Sequence, residues 1–392
     1  MASDLIARGH QVTILTGLPN YPSGKVFEEY RADPEKFAHF EGAEVIRVPM
    51  LPRGSGSLRL MANYASFVLS GLTVGAWKLR GRRFDSILVF MISPITAVLP
   101  AILQRRLKRA PLFVWILDLW PETLEAVGVV KSPRLLAIVG NLVSYIYKRT
   151  DHILVQSRAF MDNVRTYAGP NATVSYFPGW AEPIFQQGLE AAPKAAEITR
   201  FSDSFNVAFA GNVGEAQDFP AILDAADALR KDIPVRMFVI GDGRMFPWVE
   251  KEVALRGLSD RVILLGRFPL ERMPSFFKAA DALLVSLKRD KIFAMTIPGK
   301  VQSYLAAGVP LLGMLDGEGG RIIREAGAGL VSPSGDGAAL ARNIEALAGM
   351  TPQERTAMGA NAKAYGLAEF DRTRLLGGLE AKLRDAAERN SS

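Results

Sequence analysis

Short runs of β-branched and other apolar residues recur along the chain, each parted from the next by residues of helical period. In the first half these runs are QVTILTG (11–17), VIRVPM (45–50), SILVFMI (86–92), LFVWILDLW (112–120) and HILVQS (152–157). Strands this short and this apolar are buried on both faces, and intervening helices such as PRLLAIVGNLVSYIYKR (133–149) supply the cover. That pattern predicts an α/β fold with a doubly wound parallel sheet. The stretch TVSYFPGWAEPIFQQGLEAAPKAAE (173–197) then loses all period and carries Pro178, Pro183 and Pro193, so it reads as an interdomain connection. A second series follows: FNVAFAGNVG (205–214), RMFVIGDG (236–243), RVILLGRF (261–268), ALLVSL (282–287), VPLLGML (309–315) and GAGLVSP (327–333). Amphipathic helices separate these strands, among them PAILDAADALRK (220–231) and GAALARNIEALAGM (337–350). Two doubly wound domains in tandem are expected, facing across a cleft, with the ligand at the carboxyl ends of the strands. The predicted domains are 1–182 and 198–368.

A doubly wound domain opens on a strand, whereas this chain opens on a helix-like ASDLIARGH closed by Gly9. The pattern reads as one whose first strand, with the loop after it, is missing. The 392 residues include no cysteine, which excludes a disulfide scaffold, a thiolate metal site and a cysteine nucleophile. Three histidines (His10, His39 and His152) are too few for a histidine-rich metal centre. His10 and His152 each flank a strand start, opposite the expected cleft, and read as structural. No secretory signal opens the chain, so the cytoplasm is the expected address.

The net charge of +7 is concentrated. Residues 78–109 carry Lys78, Arg80, Arg82, Arg83, Arg105, Arg106, Lys108 and Arg109 against the single acid Asp85. A nucleic-acid binder spreads such charge along a face and interleaves aromatics, and this chain does neither, so no nucleic-acid partner is expected. The first cluster instead follows the apolar stretch LMANYASFVLSGLTVGAWKLR (60–80), the composition of an interfacial helix lying on anionic lipid. Membrane contact is expected through 58–83 and 105–109. The alternative is a core helix with a solvated basic end. A membrane span is disfavoured by Asn63, Gly71 and Gly75.

Four loops carry candidate chemistry. Gly211, Asn212 and Gly214 follow a strand and precede a helix, where backbone N–H groups and the helix dipole suit a phosphate. Gly241, Asp242 and Gly243 repeat that logic, although tight strand-to-helix turns need glycine for steric reasons alone. More specific is Leu287-Lys288-Arg289-Asp290-Lys291 followed by Met295-Thr296-Ile297-Pro298-Gly299-Lys300. Thr296 is placed to cap, Gly299 permits close approach, and Lys300 falls in a helix's first turn, where a cation opposes the macrodipole unless an anion is bound. The alternative for Lys300 is a side chain snorkelling to solvent. In the first half Asp118 closes a strand and either takes a proton or sugar hydroxyl in the cleft or caps the next helix. The turn-rich loop 17–25, with Asn20 and Tyr21, is a candidate acceptor loop.

Taken together, TGLPNYPSGKVFEEY, SPITAVLPA, DLWPETLEAVG, QSRAF, YFPGWAE, AGNVGEAQDF, GDGR, TIPGKVQSYLAAGVPLL and AGAGLVSPSGD, in this order, resemble the family-4 glycosyltransferases of the GT-B fold, two Rossmann-like domains. Within that family they resemble the L-fucosamine transferase subgroup of bacterial O-antigen, capsule and exopolysaccharide synthesis. The resemblance implies a retaining, metal-independent transfer with no cofactor, from a nucleotide-diphosphate sugar, expected to be a UDP-sugar, to a lipid-linked saccharide. It places the enzyme peripherally on the inner face of the cytoplasmic membrane. It also implies that the donor binds the C-terminal domain, that the acceptor binds the N-terminal one, and that 369–389 is a helix crossing back to the N-terminal domain.

On that footing Lys300 and Lys288 carry the diphosphate charge, with Thr296, Pro298 and Gly299 at the same turn. Arg267 and Phe268 border the base. Asp118 and Glu122 contact the reacting sugars, with Asn20, Tyr21, Ser93 and Trp120 on the acceptor side. Two departures stand out. The family's paired glutamates are replaced by Met295 and Ser303, and its Arg and Lys of the first donor loop by Asn212 and Gln217. Donor hydroxyl recognition then differs from the common hexose pattern, which suits an amino- or deoxy-sugar. The competing readings are a sugar-nucleotide 2-epimerase of the same fold, which needs no lipid-facing helix, a periplasmic binding protein, which needs an export signal, and an inactive truncated transferase.

Overall fold

The computed structural model describes residues 1–20, 24–54, 56–126, 130, 132–186, 189 and 191–391. The chain divides into two compact units, Met1–Phe177 with Thr373–Ser392, and Pro178–Arg372.

In the first unit Thr13–Thr16 (β1) pairs in parallel with Ala43–Arg47 (β3), and the short His39–Phe40 (β2) joins β3 antiparallel. Ile87–Met91 (β4), Leu112–Ile116 (β5), His152–Val155 (β6) and Val174–Tyr176 (β7) form a parallel sheet in that order. All five residues of β5 are buried, as an uninterrupted apolar run requires. The opening helix is Ala2–Ala7, with Gly9 at φ +93° just beyond it. The helix Arg372–Ser391 is tied to this unit by Glu380, which receives Arg8 and His10 at 3.1 and 3.0 Å, and by Ser86 Oγ, which donates to the Leu383 carbonyl. It starts three residues later than predicted, because Glu369 and Phe370 end the preceding helix Pro352–Phe370. His152 is structural: its Nε2 lies 2.8 Å from Ser175 Oγ and its ring stacks on Phe113. Burial, with Lys382 and Arg389 nearby, pushes its pKa down to about 4.

The reading of 173–197 as a plain connection is corrected. Residues 174–176 are β7, Phe177 stays with the first unit against Trp115, and the described residues of the stretch from Pro178 on belong to the second unit. There Phe185 stacks on Phe277 at 5.2 Å, Ala195 N–H donates to the Ser275 carbonyl, and Ala196–Thr199 is helical. Three prolines broke the period without preventing burial.

The 60–80 stretch is a helix from Ser57 to Ser70, a π turn over Gly71–Gly75 and a last turn Ala76–Lys78. A methyl group on Gly71 would meet Pro100 at 2.7 Å, so this glycine lets the following helix Leu99–Lys108 approach. Among the described residues no helix is long and apolar enough to cross a membrane. Part of the basic cluster serves the fold. Arg105 makes two bonds of 2.6 Å to Asp151, Lys108 donates to the Leu79 and Arg82 carbonyls, and Arg82 pairs with Glu44.

The second unit is one six-stranded parallel sheet: Phe205–Ala210 (β8), Val235–Ile240 (β9), Val262–Gly266 (β10), Ala282–Ser286 (β11), Leu311–Met314 (β12) and Gly329–Ser332 (β13), in spatial order β10-β9-β8-β11-β12-β13. The order reverses at β8, so the loops after β8 and β11 leave the sheet in opposite directions and open a crevice at their carboxyl ends. All six residues of β8 are buried, as are all five of β11.

Candidate active site

The carboxyl ends of β8, β9 and β11 bring most of the expected donor residues together. Gly211 has φ +133° and Gly241 φ +151°, conformations that side chains rarely adopt. A methyl group on Gly241 would lie 1.8 Å from the Gly211 carbonyl, and one on Gly243 2.4 Å from that of Val213. Hydrogen bonds from Gly211 N–H to the Ile240 carbonyl and from Val213 N–H to the Asp242 carbonyl close the two turns on each other. Gly241 and Gly243 are therefore glycines because two loops touch. Asp242 is exposed, and its Oδ1 accepts from the adjoining Gly243 N–H at 2.7 Å.

Gly211 faces something else. A methyl group there would meet Lys300 Cε at 2.7 Å and Nζ at 3.1 Å. The helix Gly299–Ala307 begins beyond Pro298, and no side chain caps its first N–H groups. Lys300 runs from that first turn to the end of β8, where its Nζ lies 3.5 Å from the centre of the Phe209 ring. The Nζ is buried and, among the described residues, has no hydrogen-bond partner. Burial alone pushes its pKa down to about 7. Snorkelling to solvent is thus excluded. Tyr304, one turn further along the same helix, anchors this arrangement: its hydroxyl bonds the N–H and the carbonyl of Ala210 at 3.0 and 3.2 Å. Phe209 and Tyr304 escaped the sequence reading, although the four-residue spacing from Lys300 to Tyr304 puts both on one helix face.

Thr296 is a correction. Its hydroxyl donates back to the Ile292 carbonyl at 2.8 Å, closing the helix Lys291–Met295, so it does not cap the helix of Lys300. Pro298 holds the N-cap position instead, and the space before Gly299 is open, the nearest atom to a methyl there being Gln302 Oε1 at 4.0 Å. Gln217 accepts from Gly214 N–H at 3.1 Å and from Asn212 Nδ2 at 3.4 Å, which shapes the loop after β8. Ser286 Oγ donates to the Gln217 carbonyl and Lys288 N–H to that of Ala216, so exposed Lys288 stands beside this loop. Arg267 is exposed just past β10, while Phe268 packs edge-on against Phe276 at 4.8 Å with Arg272 over its ring.

In the first unit the candidate residues scatter. Asp118 lies just beyond β5, and among the described residues no donor reaches its carboxylate. The N–H groups of Thr123 and Leu124 go to the Leu119 and Pro121 carbonyls, so Asp118 caps nothing. Burial raises its pKa. Glu122 turns away into the packing, where its Oε1 accepts from Asn163 Nδ2 at 2.6 Å and from the Tyr167 hydroxyl at 3.2 Å. Asn20, 8% exposed, spends its amide on the Leu18 carbonyl and its oxygen on Arg53 N–H, and so joins two loops. Trp120 is buried, Ser93 is exposed after β4, and Tyr21 lies outside the described residues. Of the proposed sugar-contacting set, Asn20 and Glu122 Oε1 are already bonded and Trp120 is enclosed, while among the described residues Glu122 Oε2 and the Trp120 indole N–H have no hydrogen-bond partner.

Two touching glycine turns beside a buried lysine at a helix start form the candidate anion site of a Rossmann-like unit. Residues 1–180 match the glycosyl transferase 4-like domain family, and residues 204–349 match the glycosyl transferases group 1 family. The chain belongs to the family-4 glycosyltransferases of the GT-B fold and is a sugar-transferring enzyme. It is 30% identical over 241 residues to a Pseudomonas aeruginosa protein named as probable glycosyltransferase WbjE, an alignment covering 59% of each chain. It is 26% identical over 320 residues to an Escherichia coli protein named as putative colanic acid biosynthesis glycosyl transferase WcaI, covering 79% of this chain and 76% of that one. Its fold matches Anabaena HepE, solved with UDP and glucose, at TM-score 0.66 and 16% identity over 96% of this chain and 100% of that one.

Proposed function

We propose that the chain transfers a sugar from a UDP-sugar to a polyprenyl-diphosphate-linked saccharide in bacterial surface-polysaccharide assembly, at the inner face of the cytoplasmic membrane. The observation that carries the donor half is Lys300, a buried cation with no partner at the mouth of an uncapped helix. Such a group gains most from an incoming anion, because the cost of desolvating it has already been met. The diphosphate sits before Gly299, accepts from the first N–H groups of the helix and draws Lys300 Nζ off the Phe209 ring; Lys288 supplies a second, exposed cation. These groups stabilise the departing diphosphate as the glycosidic bond breaks, so that no metal ion or cofactor is called on. The transfer retains configuration, in keeping with the family. Asp118, half-buried and with its pKa raised by that burial, meets the sugar hydroxyls. HepE, with UDP bound, supports uridine as the base, and the names of WbjE and WcaI support a polysaccharide pathway. Met295 and Ser303, standing where the family's glutamates read sugar hydroxyls, favour an amino- or deoxy-sugar such as L-fucosamine. The stripe Leu58, Met61, Leu69 and Trp77 is exposed on the 57–78 helices and serves as the lipid contact.

The test is thermal shift with UDP, GDP, TDP and CMP, followed by a turnover assay with UDP-amino sugars and a polyprenyl-diphosphate acceptor, with and without EDTA. UDP alone should stabilise, by about 2.7 kcal/mol at 100 times its Kd, and turnover should survive EDTA. No stabilisation by any nucleotide would overturn the donor assignment, and loss of turnover in EDTA would overturn the metal-independent mechanism.

A further inference from the structure

A second helix of the first unit carries an apolar surface for which donor and acceptor chemistry have no use. Pro133–Tyr147, between β5 and β6, is largely apolar, with Arg134, Asn141 and Ser144 its polar residues. Its inner side buries Gly140, Val143, Ile146 and Tyr147. Its outer side exposes Leu135 (53%), Ile138 (63%) and Tyr145 (42%), at spacings of three and seven that make one stripe, with exposed Arg134 and Asn141 beside it. A helix of this kind in water leaves a continuous patch uncovered, and such patches mark interaction sites.

Charge identifies what covers it. No acidic residue occurs between Glu125 and Asp151, while Arg134, Lys148 and Arg149 stand at the two ends of the helix. The Arg149 guanidinium lies 3.6 Å above the Tyr145 ring, and its Nη1 donates to the Tyr145 carbonyl. The 57–78 helices end in the same way, with Arg80 lying 4.1 Å over the Trp77 ring and donating to the Trp77 carbonyl. An aromatic ring with a cation folded over it, at the end of an apolar stripe, suits the boundary between headgroups and acyl chains. From Val45 to Thr150 the sequence holds fifteen Lys and Arg against four acids, although the whole chain is only +7. Position agrees with charge. β4, β5 and β6 are parallel neighbours in chain order, so right-handed crossovers put Leu99–Lys108 and Pro133–Tyr147 on one side of the sheet. The turn Ala76–Lys78 packs against Leu99–Lys108, on which Leu107 is exposed, and so lies on that side too.

We propose that the outer face of Pro133–Tyr147 is a second lipid-contacting face, which lies in the headgroup region of an anionic bilayer together with the 57–78 helices. The inference rests on the membrane half of the proposed function and adds a surface to it. A second copy of the chain fits this face poorly, because pairing the patch with itself would bring like charges together.

Sedimentation of the full chain with vesicles tests this, using phosphatidylcholine alone and with about 30 mol% phosphatidylglycerol. Three proteins are compared: wild type, Leu135→Ser with Ile138→Ser, and Leu58→Ser with Met61→Ser. All four side chains are exposed, so Tm should hold in each. Wild type should bind the anionic vesicles and not the neutral ones, and each double variant should lose at least about tenfold in partitioning. If the 135/138 variant binds like wild type while the 58/61 variant does not, the second face is refuted and the membrane reading stands. If wild type binds neither vesicle, both fall. If wild type is a dimer by light scattering and the 135/138 variant a monomer, the occupant is another copy of the chain and the proposal is overturned.

Discussion

Replacing Lys300 by methionine should make the protein more stable and less active at once. A lysine that titrates at 10.5 in the open chain and at about 7 in the fold is held charged against its surroundings. At about 1.4 kcal/mol per pH unit, this costs roughly 5 kcal/mol wherever both states are protonated. The cost is fully present below pH 7. It is relieved as the pH rises towards 10.5, because the folded protein gives up the proton while the unfolded chain keeps it. Methionine fills nearly the same volume and carries no charge. It loses the cation over Phe209, worth up to about 2 kcal/mol, so a net gain of about 3 kcal/mol is expected at pH 6.5. For a body the size of Pro178–Arg372, each kcal/mol moves Tm by roughly 2–4 °C, which predicts a rise of about 6–12 °C. Scanning calorimetry on both proteins reads this directly. The same variant should lose the UDP-induced shift and cut turnover by about 100-fold or more, since one preorganised charge on a leaving group is worth roughly 3 kcal/mol. The reasoning fails if Lys300→Met lowers Tm, because the lysine would then be structural. It fails equally if turnover is unchanged.

Other expectations follow from the same coordinates. UDP affinity should weaken about tenfold per pH unit above pH 7, because an unliganded Lys300 near 7 must take up a proton to meet the diphosphate, whose own phosphate has finished ionising by then; a flat calorimetric affinity profile from pH 7 to 9 would contradict this, and Lys300→Arg should flatten it. Gly211→Ala should destabilise by about 2–4 kcal/mol and weaken UDP binding, since φ +133° and the 2.7 Å approach to Lys300 Cε both oppose a methyl group, whereas Gly299→Ala should leave Tm unchanged. Glu122→Ala should cost about 2–3 kcal/mol by stranding Asn163 and Tyr167, with turnover per folded molecule preserved. Asp118→Asn should do the reverse, lowering turnover at constant Tm, as urea melts run beside initial rates would show.

How far the sequence could be read depended on how local the cause was. Eleven strands were legible because an apolar run such as VRMFVI (235–240), buried on both faces, leaves no alternation to misread; β9 and β11 are of this kind. The two that were missed, His39–Phe40 and Val174–Tyr176, are edge strands of two and three residues, too short to show a period. The Lys300 site was legible because a cation in a helix's first turn is locally unfavourable, and the sequence itself shows that conflict. What it could not show was depth. The burial of Nζ on Phe209 comes from β8, some ninety residues earlier in the chain.

In the first unit the bonds that hold the candidate residues were out of sight for the converse reason. Asn20, Trp120 and Glu122 sit at the ends of strands, where ligands bind in such folds, but carboxylates and amides are easily satisfied from within. Glu122 is held by residues of a helix forty positions on, and Asn20 by the backbone of Arg53. No local conflict advertises either bond. Asp118, with its carboxylate half-buried and no donor among the described residues, is the exception on the same loop, and that difference from Glu122, four residues away, is what residue type alone could not supply. A polar residue at a strand end becomes a candidate for chemistry only when the fold leaves it unsatisfied. Among the described residues at these strand ends the fold leaves Lys300 Nζ and the Asp118 carboxylate without a hydrogen-bond partner, and the proposed transfer would set the first on the departing diphosphate and the second on the sugar.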